Sequence, residues 1–330
     1  MAEFIIGNSL RKIARERPFL QRLLWRLDFA LVWTLIRIFG LLPVDLSSSL
    51  GARVGGLIGP MMKRKTAIFE ENFRIAFPEK SPREIRELAR AAWRSAGRVL
   101  GEYPHLSAFV DGSRDERLEI VICNPETTFC ESGRPAVIVG AHHSNWELNA
   151  LAISRLGIPS ACLYSPPVNP WLDRMLLESR AALDCELLPR DNSTRLLVRA
   201  LNTGRTVAMV MDRRVDEGQP VPLFGRDKPT TIVPARLALK FNCDLIPVQM
   251  ERLEGARFRV TFHPPVRPTN PDDCMTDQAV DMIRQVHLLF ETWIHESPAE
   301  WFCSKRIWPK SAAVEVGAAA TDTEKESHAA

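Results

Sequence analysis

The residues best able to do chemistry stand together at 140–147, Gly-Ala-His142-His143-Ser144-Asn145-Trp146-Glu147. An imidazole titrates near pH 6.5, so a histidine here is poised to take a proton at neutral pH. Glu147 lies five positions after His142, within reach of the far ring N–H across a turn. There it would fix the tautomer and stabilise the imidazolium. No G-x-S-x-G elbow occurs and no cysteine follows that pattern, so the base would activate a hydroxyl or amine on a bound substrate. A zinc reading lacks a third ligand, and H-E-x-x-H is absent. His143 is a rival base, because His143 to Glu147 is the four-residue step that shares a helix face.

A second stretch of interest is Met211 to Thr231, rich in Gly and Pro, which follows a buried strand and reads as a long functional loop. Around it, nine bases between Arg195 and Lys240 face the four acids Asp212, Asp216, Glu217 and Asp227. That excess suits anionic groups such as phosphates; a solvated basic face is the alternative.

The elements that would hold these residues alternate. Continuous apolar runs at 136–140 and 206–211, with 160–164, 245–250 and 258–262, read as strands. Residues 148–156, 171–183, 193–201, 234–241 and 276–295 read as helices. Ser81-Pro82-Arg83-Glu84 opens a further helix with a capping box. The pattern predicts an α/β fold with a largely parallel mixed sheet flanked by helices. The motif at 140–147 then falls where a buried strand turns into a helix, the place where open α/β sheets hold ligands.

The N-terminus differs in character. Residues 1–40 hold seven bases (Arg11, Lys12, Arg15, Arg17, Arg22, Arg26, Arg37) against Glu3, Glu16 and Asp28, and an apolar run spans 29–42. A spanning helix needs about 20 apolar residues, and this run is shorter and contains Arg37. Pro43-Val-Asp-Leu follows it rather than a small-residue cleavage site, which argues against a cleaved signal peptide. The readings that remain are a short anchor with its bases on the cytoplasmic side, a helix lying in the membrane interface, or an amphipathic core helix. The division expected is 1–60 as a helical membrane anchor region, 61–310 as the catalytic domain and 311–330 as a disordered tail.

Composition excludes much else. With 330 residues, 45% hydrophobic and 25% charged, the chain is neither disordered nor a polytopic transporter. A net charge of +3 gives no reason to expect nucleic acid as a partner. Seven scattered cysteines without a CxxC read as reduced thiols, each a buried small hydrophobe.

The segment GAHHSNWE, with His142-x4-Glu147, resembles the bacterial lipid A late acyltransferases, the lauroyl and myristoyl transferases within the wider lysophospholipid acyltransferase group. Further segments are similar in the same order: NFRIAFPEKSPRE (72–84), NPWLDRMLLESR (169–180), MVMDRRVDEGQPVPLFG (209–225), PARLALKFNCDLIPVQMER (234–252) and SPAEWFCSKRIWPK (297–310). The resemblance covers roughly residues 26–310. It implies a glycerolipid acyltransferase-like fold and transfer of a fatty acyl chain from an acyl carrier protein thioester. The acceptor implied is the hydroxyl of a 3-hydroxyacyl chain on a Kdo-decorated lipid A precursor, at the cytoplasmic face of the inner membrane. His142 would be the base and Glu147 its orienting partner. His142 is preferred to His143 because it keeps the family spacing. A thioester is already activated, so no cofactor, metal or covalent intermediate is required. Trp146 and Phe224 are expected to line an apolar groove. Asn145, Asp212, Phe224 and Gly225 match family positions, and Arg180 would meet a phosphate or the carrier. Two departures stand out: Tyr164-Ser165-Pro166 where the family often has Tyr-Arg-Pro, and Asp212-Arg213 where it often has Asp-Gln. His142-x-Ser144-x-x-Glu147 also resembles the motif of the glycerophosphate and lysophospholipid acyltransferases, so the alternatives are a lysophospholipid, phosphoinositide mannoside or aminolipid acceptor, with acyl-CoA as a possible donor. A reading from another class is an inactive membrane scaffold of the same fold.

Overall fold

Val137–Gly140 (β2) is buried on both faces, and a strand so placed must be covered on both sides. In the computed structural model it lies near the middle of a seven-stranded sheet. The structure describes Ile5 and residues 10–110, 117–123, 134–191 and 193–309. The expected tail at 311–330 and Cys130 lie outside these residues. The other strands of this sheet are Leu118–Ile122 (β1), Ser160–Tyr164 (β3), Glu186–Pro189 (β4), Thr206–Val210 (β5), Leu245–Arg252 (β8) and Phe258–Phe262 (β9), and the order across it is β1-β9-β8-β2-β5-β3-β4. All neighbouring pairs run parallel except β8 with β9. This is the mixed, mostly parallel sheet that the sequence predicts.

Ten α-helices are described: Arg11–Glu16 (α1), Pro18–Gly40 (α2), Val44–Ile58 (α3), Lys63–Ala76 (α4), Pro82–Glu102 (α5), Leu148–Arg155 (α6), Pro170–Arg180 (α7), Ser193–Asn202 (α8), Val233–Phe241 (α9) and Met275–Glu296 (α10). The capping box at α5 forms as expected, with Ser81 and Glu84 bonding reciprocally. Side chains alternate along the central strands. Val137, Val139, Val207 and Met209 join one core, whereas Ile138, Ala208, Ile246 and Val248 join the other.

The stretch after β5, expected as a loop, folds as the antiparallel hairpin Gln219–Leu223 (β6) and Arg226–Thr230 (β7). Phe224 and Gly225 form its turn, both at positive φ (52° and 67°), as a two-residue hairpin of right-handed twist requires. Val221 and Leu223 point into the core.

Of the three readings open for the N-terminal segment, the spanning anchor finds no support. Among the described residues no helix is long and apolar enough to cross a membrane. The helix α2 instead rests on the α/β domain. Asn169 Nδ2 donates to the Trp25 carbonyl at 2.8 Å, Trp25 meets Trp171 edge-on at 6.5 Å, and His105 Nε2 lies 3.1 Å from the Phe39 carbonyl. Helix α3 crosses α5 with backbones in contact: a Cβ on Gly51 would lie 2.2 Å from the Gly97 carbonyl oxygen. Only glycine permits that approach.

The cysteines are less uniform than expected. Cys243 and Cys303 are buried, Cys162 and Cys185 half-buried, and Cys123 and Cys274 exposed; all six are free thiols.

Candidate active site

Strand β2 delivers His142 at its C-terminal end, and the turn after it is pinned by the chain's closing segment. Ser144 N donates to the Glu300 carbonyl (2.9 Å), Phe302 N donates to the His142 carbonyl (2.8 Å), and His143 bridges to Trp301. Ser144 takes a positive φ of 53° in this turn. The closing segment is itself strapped to α4. Asn72 Nδ2 donates to the carbonyls of Cys303 and Lys305, both at 2.8 Å, and Asn72 Oδ1 accepts from Ile307 N.

His142 pairs with Asp212, not with Glu147. Its Nδ1 lies 2.5 Å from Asp212 Oδ1, and Trp301 Nε1 donates to Asp212 Oδ2 at 3.0 Å. Asp212 sits just past the end of β5, the strand paired with β2, so parallel register brings together residues 70 apart in sequence. Burial alone would raise the Asp212 carboxyl. The charge and hydrogen bond of His142, Arg213 and the Trp301 indole reverse that and hold it well below the usual carboxylate range. Burial pushes the His142 imidazole below its ordinary value, against the opposing pull of Asp212. The ring is then neutral at neutral pH, with its Nδ1–H donated to Asp212 and Nε2 free to accept a proton.

The Glu147 carboxylate is engaged elsewhere. Arg180 grips it bidentately, Nε to Oε2 at 2.7 Å and Nη2 to Oε1 at 2.5 Å. This corrects the expected His142–Glu147 contact: both carboxylate oxygens point at a guanidinium, which matches their planar fork better than one imidazole N–H could. It equally shows why Arg180 is not a free cation.

The remaining expected residues separate. Trp146 stands beside the imidazole, edge-on to His142 at 5.1 Å and stacked on Phe302 at 5.5 Å. Asn145 faces away, donating to Glu102 Oε2 at 3.0 Å; Glu102 is buried against Arg252 and Ser48. Phe224 and Gly225 do not line the cavity, because they turn the hairpin. Phe224 packs among Phe77, His295, Trp301 and Trp308 instead. His143 is fixed by backbone, with Nδ1 3.1 Å from the Met250 carbonyl and Nε2 3.0 Å from that of Ser297. Neither nitrogen is free to serve as a base.

His142 opens onto a cavity of about 750 Å³, in the range of ligand sites. It enters where the sheet splits. Strand β3 pairs with β5 only through Cys162–Ala208, yet continues with β4 to Tyr164–Pro189. Leu163, Tyr164, Met209 and Val210 line the gap so formed. Through it the cavity reaches the far face of the sheet, lined there by Ile138, Ala150, Leu183, Ala208 and Val248. The inner end is thus apolar.

The mouth is cationic. Lys65, Arg180, Arg190, Arg213, Arg214 and Lys305 line it. Arg180 is paired with Glu147 and Arg214 with Asp216. Burial and the nearby Arg213 push the lysine ammonium groups of Lys65 and Lys305 down, and burial lowers Arg213, with Arg190 adding repulsion. Sequence reading found Arg213 and Arg214 through the charge excess. It missed Lys65, Arg190 and Lys305, which come from three distant segments. Both departures from the family pattern, Ser165 and Arg213, line this same cavity.

Beneath the hairpin lies Lys228, wholly buried, with Nζ 3.2 Å from the Met211 carbonyl and 3.4 Å from His287 Nε2. Burial lowers this lysine to about 8 against the pull of Asp212. Among the described residues no group of three or more His, Cys, Asp or Glu is placed to hold a metal ion.

Residues 18–310 match the family described as bacterial lipid A biosynthesis acyltransferase. The chain is 25% identical over 257 residues to the lipid A biosynthesis lauroyltransferase of Escherichia coli K12, covering 77% of this chain and 82% of that one. It is 25% identical over 200 residues to the palmitoleoyltransferase of the same organism, covering 60% and 63%. It is 24% identical over 235 residues to the phosphatidylinositol mannoside acyltransferase of Mycolicibacterium smegmatis, covering 69% and 75%. With its buried His142 at the end of a central strand and a family match over most of its length, the chain belongs to the bacterial lipid A biosynthesis acyltransferase family and is an acyltransferase.

Proposed function

We propose that this acyltransferase moves a fatty acyl chain from a carrier-protein thioester to a hydroxyl of a 3-hydroxyacyl chain on a Kdo-decorated lipid A precursor, with His142 as general base and Asp212 as its partner. The observation that carries the reading is His142, oriented by Asp212, at the junction of an apolar chamber and a cationic mouth.

The residues divide the work. His142 Nε2 takes the proton of the acceptor hydroxyl while Asp212 stabilises the imidazolium. The alkoxide oxygen attacks the thioester carbonyl carbon, forming a C–O bond and an oxyanion. Arg213 is the cation whose charge reaches both His142 and Asp212, and it supports that oxyanion. On collapse the C–S bond breaks, and the proton on Nε2 passes to the departing thiolate. The products are an ester and a free thiol. The apolar chamber holds the acyl chain out of water. The cations at the mouth suit the phosphates of a lipid headgroup and of the carrier's thiol arm. No cofactor enters these steps; the donor is a substrate.

A second reading keeps the chemistry and changes the acceptor to a phosphoinositide mannoside or a related lipid, with acyl-CoA as donor. The mycobacterial relative favours it, and the two departures, Ser165 and Arg213, lie in the lining of the cavity that an acceptor would enter. The catalytic domain would face the cytoplasm at the inner membrane in the first reading. Helix α2 supports membrane association: Leu23, Leu27 and Leu31 repeat every four residues and are exposed beside a basic face, as in a helix lying in the interface.

The test is mass spectrometry of lipid A and phospholipids from cells with and without the gene. Loss of one acyl group from lipid A supports the first reading. Unchanged lipid A with an altered glycolipid supports the second. No change in any acylated lipid contradicts both.

A further inference from the structure

The turn between α3 and α4 exposes four large apolar side chains in six residues. Leu57 is 73% exposed, Ile58 55%, Met61 76% and Met62 44%. Monomeric surfaces seldom concentrate such side chains without a partner. The base of the turn is rigid. Gly59 is buried so closely against the Trp93 ring that a Cβ there would lie 2.3 Å from it. Thr66 Oγ1 donates to the Gly59 carbonyl at 3.2 Å and accepts from Trp93 Nε1 at 3.0 Å. The apolar tip is therefore held out from the domain by design of its base, not by fraying. Lys63, Arg64 and Lys65 follow at once. Lys65 belongs to the cavity mouth, and its Nζ donates to the Ser304 carbonyl at 3.3 Å.

We infer that the Leu57–Met62 turn is a membrane-insertion element, separate from α2, that seats the cavity mouth on a bilayer containing anionic lipids. The inference rests on the reading that the acceptor is a membrane lipid. Apolar side chains ringed by cations match the acyl region and the anionic headgroups in turn. The collar ends at Lys65, so a bilayer gripping the tip lies against the opening through which a lipid headgroup reaches His142. A second copy of the chain fits less well. Four side chains offer little against the roughly 800 Å² per partner of a stable interface, and symmetric pairing would bring like-charged collars together.

The experiment is partition of the full chain onto vesicles of neutral phospholipid with about a third anionic phospholipid, chosen because excess negative surface charge is what the collar reads. Leu57→Asp/Met61→Asp keeps α2 and every cavity residue. It is expected to lower the partition coefficient by roughly tenfold or more with an unchanged melting temperature. Lys63→Glu and Arg64→Glu are each expected to weaken binding roughly fivefold on anionic vesicles and little on neutral ones. If the Asp pair fails to fold, Leu57→Gln/Met61→Gln replaces it. Partition equal to wild type in the folded variants overturns the inference. So does a variant that turns a dimer into a monomer while vesicle binding stays unchanged. Binding is read without turnover, so the result stands apart from the fate of the acyl-transfer reading.

Discussion

Two buried carboxylates flank His142, and they are held in opposite ways. Asp212 accepts one bond on each oxygen, from His142 Nδ1 and Trp301 Nε1, and faces the ring across paired strands. Glu147, five residues from His142 in sequence, spends both oxygens on Arg180. Nearness in sequence therefore does not choose the partner. Glu147 leads into α6 and is turned toward α7, whereas strand register sets Asp212 against the imidazole. One pair sets the charge of an imidazole; the other forms a charged wall of the same cavity.

The comparison is broken most forcefully at Asp212. Asp212→Asn keeps the volume and loses the charge, and kcat/KM should fall on the order of 10⁴-fold, with His142→Ala, which removes the base itself, costing at least as much. Both variants should fold, and a rate loss under tenfold in either would remove the dyad. Glu147→Ala should act through stability first. It leaves the buried Arg180 without its counter-ion, at a cost of about 3–5 kcal/mol that denaturant unfolding reads. Glu147→Gln/Arg180→Met should recover much of it, because both charges leave together. A single variant as stable as wild type would show that the pair is not structural.

A smaller effect is expected inside the chamber. Ala208→Phe fills the far end, and each methylene excluded costs about 0.8 kcal/mol, roughly fourfold in preference. The product's mass should move to shorter acyl chains. An unchanged chain length would place the acyl group elsewhere. The mildest effect is in pH. Burial holds His142 below its ordinary 6.5, so activity on the acid side should persist under pH 6.5 and fall only as the imidazole gains its proton. Asp212→Asn removes a group that favours the charged ring, so the acid limb should move further down. A limb that moves up instead would reverse the assigned roles.

Much of this was legible in the sequence. The apolar runs at 136–140 and 206–211 became β2 and β5, and Ser81–Glu84 became the cap of α5. His142, Trp146 and Asp212 meet at one place, as singled out. The hairpin was hidden because Pro220, Pro222 and Pro229 argue against strands; they are tolerated in an isolated two-stranded ribbon, whose outer edges need no partner. Strand β4 ends in Pro189 at the sheet edge and was missed for the same reason. The family resemblance of the 209–225 segment sets Phe224 at an acyl-chain groove, but the positive φ of its turn throws the ring into the core. Lys228 was counted with a basic face, since charge counting does not see that the inner side of β7 points inward. Trp301 and Asn72 lay inside recognised segments, yet their roles as anchors of Asp212 and of the closing strap depend on contacts across the whole chain.

Asp212, not Glu147, holds the imidazole of His142. Nitrogen-15 NMR of the histidine side chains reads it directly through the hydrogen-bonded Nδ1–H of His142. The Nδ1–H proton should lie strongly downfield, be lost in Asp212→Asn and be kept in Glu147→Gln. A signal that survives Asp212→Asn and vanishes in Glu147→Gln would contradict it.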